Sequence, residues 1–218
     1  MMLTLLALPL TLLGLQQGMA QRLAGRVSPT VAALVEQLGT TGAARGLPID
    51  PLIQKAIEGS AKSIPDDRVA AAVRLVATQL DTAATALREG GPVSDTLAIA
   101  AGAFAINAGL SGSDITALAR VGASPQALTV GLRVAGTLAA LGVPRAENIG
   151  LVSTTLRSGQ PAESLLLLPA HVQSAMANGS TPAAAAAGLS RAAAAQARHG
   201  PPPGRGQPPP HPAPPPHP

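Results

Sequence analysis

Apolar residues recur at three-to-four spacing along much of this chain, and polar–proline pairs and glycines cut the pattern into lengths. Behind Pro65 come Val69, Val73, Val76 and Leu80; behind Pro125 come Leu128, Leu132, Ala135 and Leu138. Behind Pro161 come Leu165, Leu168, Val172 and Met176. Such spacing puts each set on one buried helix face. Four pairs, Ser28-Pro29, Asp50-Pro51, Ser124-Pro125 and Thr181-Pro182, each open an Ala/Leu/Val-rich stretch that runs to a glycine. A Ser, Thr or Asp side chain accepts from the free N–H groups of a helix start, and proline suits the first helical position because its missing N–H has no partner there. Glycine just past the last turn permits the left-handed closure of a helix.

This punctuation predicts about nine helices, near 29–38, 51–62, 65–89, 94–108, 113–121, 125–141, 145–158, 161–177 and 182–198. Alternating β-branched runs are lacking, so the expected fold is all-α. Gly46-Leu47-Pro48 and Gly142-Val143-Pro144 each stand nineteen residues ahead of a helix-opening proline, Pro65 and Pro161. Gly109-Leu110-Ser111 stands sixteen residues ahead of Pro125, and the interval from Gly46 to Gly109 does not fit the period. We therefore expect antiparallel helical hairpins, stacked as a short α-solenoid-like array or an irregular bundle, over residues 21–199. Helical-hairpin arrays of the HEAT-like and tetratricopeptide kinds are built this way, but their signature residues are not here and no family is assigned. The last helix, mostly alanine, has high propensity and little to bury, so it is expected to lie loosely on its neighbour.

Composition sharpens this picture by what it lacks. The 218 residues include no Cys, Trp or Tyr and one Phe, Phe104. The core must then be built from small and branched aliphatics, with no disulfide and no thiolate metal site. The net charge of +4 comes from thirteen arginines and two lysines, Lys55 and Lys62, spread without a basic patch. Nucleic-acid binding is not expected, because it needs such a patch or aromatic stacking platforms. The Arg/Ala preference fits the codon bias of a GC-rich bacterial genome.

Both ends differ from the middle. Residues 1–20 read as a secretory signal peptide, with an apolar run from Met2 to Leu15 and small residues at Gly18 and Ala20 around a cleavage site. Cleavage there makes Gln21 the mature N-terminus and the protein periplasmic or extracellular. No Lys or Arg precedes the run, and the alternative is a membrane anchor formed by residues 2–15. Residues 200–218 are a Pro/His-rich tail that favours extended polyproline II and is expected to be disordered as a unit. His211 and His217, six residues apart on an extended chain with no third ligand fixed, make only a weak metal site, and none is expected.

Catalytic constellations are missing. His171 is the one histidine well inside the helical region, next to Pro169, where a broken helix frees the Leu165 carbonyl. It has no Gly-x-Ser-x-Gly elbow to serve and reads as a surface or kink-satisfying residue. Asp66, Asp67, Asp95, Asp114, Glu147 and Glu163 all fall where a helix start favours negative charge. Glu36, Glu58, Asp81 and Glu89 remain, with Asp50 as a cap, and nothing in the sequence brings Glu36 and Glu58 together as a hydrolase pair. No phosphate-binding loop or other cofactor motif is present. Charge concentrates between Glu58 and Arg68, which reads as a solvated turn with local ion pairs. The expectation is an exported helical protein that binds or scaffolds another envelope protein, through a helical face or the tail. An envelope hydrolase with unlocated carboxylates is the alternative.

Overall fold

The computed structural model describes residues 18–91, 95–159 and 161–199; the apolar run 2–15, Ser94 and the tail lie outside them. A helical turn over residues 18–23 leads into α1 (Pro29–Ala43), α2 (Asp50–Ala61), α3 (Asp66–Gly90), α4 (Thr96–Asn107) and α5 (Gly112–Ala119). Then follow α6 (Pro125–Ala140), α7 (Arg145–Arg157), α8 (Ala162–Leu166), α9 (Leu168–Ala177) and α10 (Pro182–His199). No strand occurs among the described residues, and the fold is all-α.

Side chains cap five of the ten described helices. Ser28 Oγ accepts from the Val31 N–H at 3.3 Å, Ser124 Oγ from Ala127 at 3.3 Å, and Thr181 Oγ1 from Ala184 at 3.2 Å. The Asp50-Pro51 pair departs from the expected cap. Ile49 is already helical, with φ −90° and ψ −24°, so Asp50 lies inside α2 and its carboxylate accepts from Arg22 at 2.5 Å. Asp95, expected as a first-turn acid, is itself the cap of α4, accepting from the Leu97 N–H at 3.0 Å. Ser111 and Asp114 form a reciprocal capping box at α5, two residues ahead of the expected Ser113.

One closure recurs at the helix ends. In α1, α4 and α6 a residue's N–H reaches back five positions: Leu47 to Gly42, Leu110 to Ala105 and Val143 to Leu138, at 3.0–3.1 Å. The glycines before them, Gly46, Gly109 and Gly142, have φ of 75°, 108° and 82°. This is the Schellman arrangement, whose following apolar residue packs back onto the helix. Leu47, Leu110 and Val143 are accordingly buried. The end of α2 closes the same way without glycine, through Ser63 at φ 54°.

The expected helix over 161–177 is two helices, α8 and α9, broken at Leu167. Pro169 sits in the first turn of α9, where its ring excludes a helical carbonyl four residues back and it offers no N–H. The alanine-rich α10 is not loose: it packs on α7 and α9 and buries Ala185 and Ala186.

Packing joins α1 with α2 and α3, α3 with α2, α4 and α5, α6 with α4, α5 and α7, and α7 with α5 and α10. Cβ positions built on glycines show the directions. Gly102 of α4 abuts Ala83 of α3 while Asn107 meets Gln79, so α3 and α4 are antiparallel. Gly112 abuts Thr82 and Gly90 abuts Ala119, so α3 and α5 run parallel, as alternate members of a stacked array do. Gly131 meets Val152 and Leu156 while Asn148 Nδ2 donates to the Ala135 carbonyl at 2.8 Å, making α6 and α7 antiparallel. One aliphatic core runs through the array from Met19 and Leu23 to Ala186. The three apolar sets behind Pro65, Pro125 and Pro161 all face it, with Val76 and Met176 at its margin.

Candidate functional site

Helix α4 carries no charged residue over Thr96–Asn107 and is apolar nearly all round. A helix of that kind is normally buried on every side. Here Ala98, Ala101, Gly102 and Ala105 face the core, while Leu97 is 58% exposed and Phe104 46%. Leu97, Ala100 and Phe104 stand at i, i+3 and i+7, on one face. Gly136 of α6 leaves room for the Phe104 ring: a Cβ there would lie 2.6 Å from Phe104 Cε1. The one aromatic side chain of the protein therefore rests on a glycine with much of its surface towards solvent.

A cleft of about 360 Å³ opens between α1, the α1–α2 turn and α3. Its apolar floor includes Leu38, Leu47, Ile49, Leu52 and Leu80. On its rim Arg45, in the turn after α1, reaches Asp81 of α3 at 2.6 Å, while the Arg74 guanidinium pairs with no group among the described residues. The Thr41 and Thr78 hydroxyls, also on the rim, donate to the Gln37 and Arg74 carbonyls at 2.9 and 3.1 Å. Residues 36 positions apart meet here because α1 packs directly on α3.

His171 is exposed on α9 and lines a groove of about 290 Å³ with Leu168, Leu189 and Ala193. Its backbone N–H donates to the Leu167 carbonyl at 3.0 Å, across the break the proline creates. The charge between Glu58 and Arg68 resolves into a local cluster. Glu58 accepts from Lys62 at 2.6 Å and from Lys55 at 2.9 Å, one helical turn to either side. Those two ammoniums, Lys62 first, pull its carboxyl from the ordinary 4.5 down to about 2.

The acids are dispersed. Asp66, Asp67, Glu147 and Glu163 occupy first turns, as their positions suggest. Asp81 and Glu89 border one open hollow on α3, eight residues or about 12 Å of helix axis apart. No group of three or more acids and histidines with metal-binding geometry occurs among the described residues.

The exposed α4 face escapes sequence reasoning because its composition is that of a buried helix. The cleft escapes it because Arg45 and Arg74 have no motif around them and meet only in the tertiary fold. No protein-family model, curated protein or solved structure matches this chain.

Proposed function

We propose that this chain is a non-catalytic binding module of the cell envelope that meets another protein through the exposed face of α4. The observation that carries the reading is Phe104, the sole aromatic residue, held on Gly136 with 46% of its surface exposed beside Leu97. Aromatic side chains are enriched at protein interfaces, where one large rigid group buries much area at little entropic cost. A rigid array of helices suits such a role, since it presents a fixed surface.

Export rests on the leader-like residues 1–20, with processing near Ala20. A second reading is favoured by Met19, which is 1% exposed in the core and would be lost on cleavage after Ala20. In that reading residues 2–15 stay attached as a membrane anchor and Met19 keeps its place. Among the described residues no helix is long and apolar enough to cross a membrane.

The test is a comparison of the full chain with a Leu97→Ser/Phe104→Ser variant, both expressed in a bacterium and fractionated. The reading predicts a complex larger than the free chain in the envelope fraction, absent for the variant, with helicity unchanged. Identical elution of the two proteins refutes it. Intact mass from the same fractions separates a chain beginning at Gln21 from one retaining Met1.

A further inference from the structure

We propose that the cleft between α1 and α3 binds a small carboxylate carrying an apolar tail, with Arg74 as its anchor. Three features of the rim lead there. First, its charge is unbalanced: two guanidiniums, Arg45 and Arg74, face one carboxylate, Asp81, and among the described residues no other acid lines the cleft. Asp81 neutralises Arg45 at 2.6 Å, which leaves the Arg74 charge uncompensated.

Second, the charged donor at the rim is open to a ligand. The Thr41 and Thr78 hydroxyls donate to main-chain carbonyls and keep only acceptor lone pairs. Arg74 keeps its five N–H groups, and the Gln37 amide at the same rim offers two more. An anionic acceptor meets both these donors and the spare charge. The guanidinium fork matches a carboxylate in a two-bonded, planar geometry.

Third, the floor is aliphatic. Leu47, Leu52 and Leu80 are almost fully buried beneath the rim, with Leu38 and Ile49 beside them, so a hydrocarbon tail would replace water over apolar surface. A cleft of about 360 Å³ lies at the small end of ligand sites. That size suits a medium-chain fatty acid. The C-terminal carboxylate of a peptide ending in an aliphatic residue offers the same chemistry. This site lies on helices other than α4, so its occupancy is independent of the partner surface proposed above.

Titration of the full chain with octanoate, 1-octanol and octylamine, followed by calorimetry, tests the assignment. Octanoate is expected to bind at least about tenfold more tightly than octanol, with octylamine excluded, because a charged hydrogen-bonded pair discriminates by that order. Arg74→Gln, which removes no side-chain pairing seen among the described residues, is expected to weaken octanoate about tenfold or more while leaving the melting temperature and octanol binding unchanged. Arg133→Gln on α6 serves as a charge-matched control and is expected to leave octanoate binding unchanged. N-acetyl-alanyl-leucine, run beside its C-terminal amide, identifies the source. Tighter binding of the acid than of octanoate, lost on amidation, supports a peptide terminus, whereas weaker binding supports a free fatty acid. Equal affinity for octanoate and octanol, an Arg74→Gln variant that binds octanoate undiminished, or no binding of any carboxylate overturns the proposal.

Discussion

Met19 packs so closely on Gly39 that a Cβ at position 39 would lie 2.6 Å from the Met19 sulfur. Both Met19 and Leu23 are 1% exposed, so the helical turn over residues 18–23 belongs to the core. Met19→Ala is expected to lower the unfolding free energy by about 2–5 kcal/mol, the usual range for emptying a buried methionine site. A chain beginning at Gln21 is expected to lose at least as much. Urea denaturation of the three proteins measures it, and unchanged midpoints would show that the turn is not docked in solution.

Glycines divide into two groups by what surrounds them. A Cβ on Gly90 would fall 2.3 Å from the Ala119 Cβ and 2.9 Å from the Thr116 carbonyl oxygen, which is backbone and cannot yield cheaply. Gly90→Ala is therefore expected to destabilise by about 1–3 kcal/mol. Gly150 in α7 and Gly188 in α10 have nothing within 4 Å, and alanine there is expected to stabilise by about 0.5–1 kcal/mol. Thermal melts of the three single variants give opposite signs if the helix packing is as described.

The left-handed closures make a matching pair of predictions. Gly142→Ala forces a Cβ into φ 82° and is expected to cost about 1–2 kcal/mol. At the corresponding place after α2 the chain uses Ser63, at φ 54°, and Ser63→Gly is expected to gain up to about 1 kcal/mol. Chemical denaturation of both variants checks the signs.

The folded pKa of Glu58, about 2, lies below its ordinary 4.5 because Lys62 and Lys55 bond its carboxylate. Its contribution to stability is therefore present above about pH 4.5 and fades as the pH falls towards 2. The pair is exposed, so the effect is small and screened by salt. An NMR titration should place the Glu58 midpoint near 2 in the native chain and higher in Lys62→Met. The stability difference between the native chain and Glu58→Gln should shrink over the same interval.

Helix positions were legible in this sequence because their causes are local. Ser28, Ser124 and Thr181 each cap within three residues of themselves, and Gly46, Gly109 and Gly142 close helices through bonds six residues long. Asp50 departs from its expected cap role for the opposite reason: its partner is Arg22, 28 residues away, and Ile49 takes the helix one residue further upstream. Pro169 announced a disturbance, but whether it kinks or divides a helix depends on packing beyond the sequence pattern. The functional surfaces were least legible. Leu97 and Phe104 sit in a run of apolar residues that reads as core, and only the placement of α4 on α3 and α6 decides which of them face outward. Arg45 and Arg74 are ordinary isolated arginines until α1 packs on α3.

Position-resolved photo-crosslinking tests the central claim, that the α4 face is the partner surface. A benzophenone amino acid replaces, one at a time, Leu97, Phe104, Leu75 and Arg133 in the full chain within bacterial cells. Leu75 on α3 is 55% exposed and is the apolar control, with Arg133 on α6 the charged one. The account predicts adducts of one common mass at positions 97 and 104 and none at 75 or 133. Adducts spread evenly over the four positions, or confined to position 75, would contradict it.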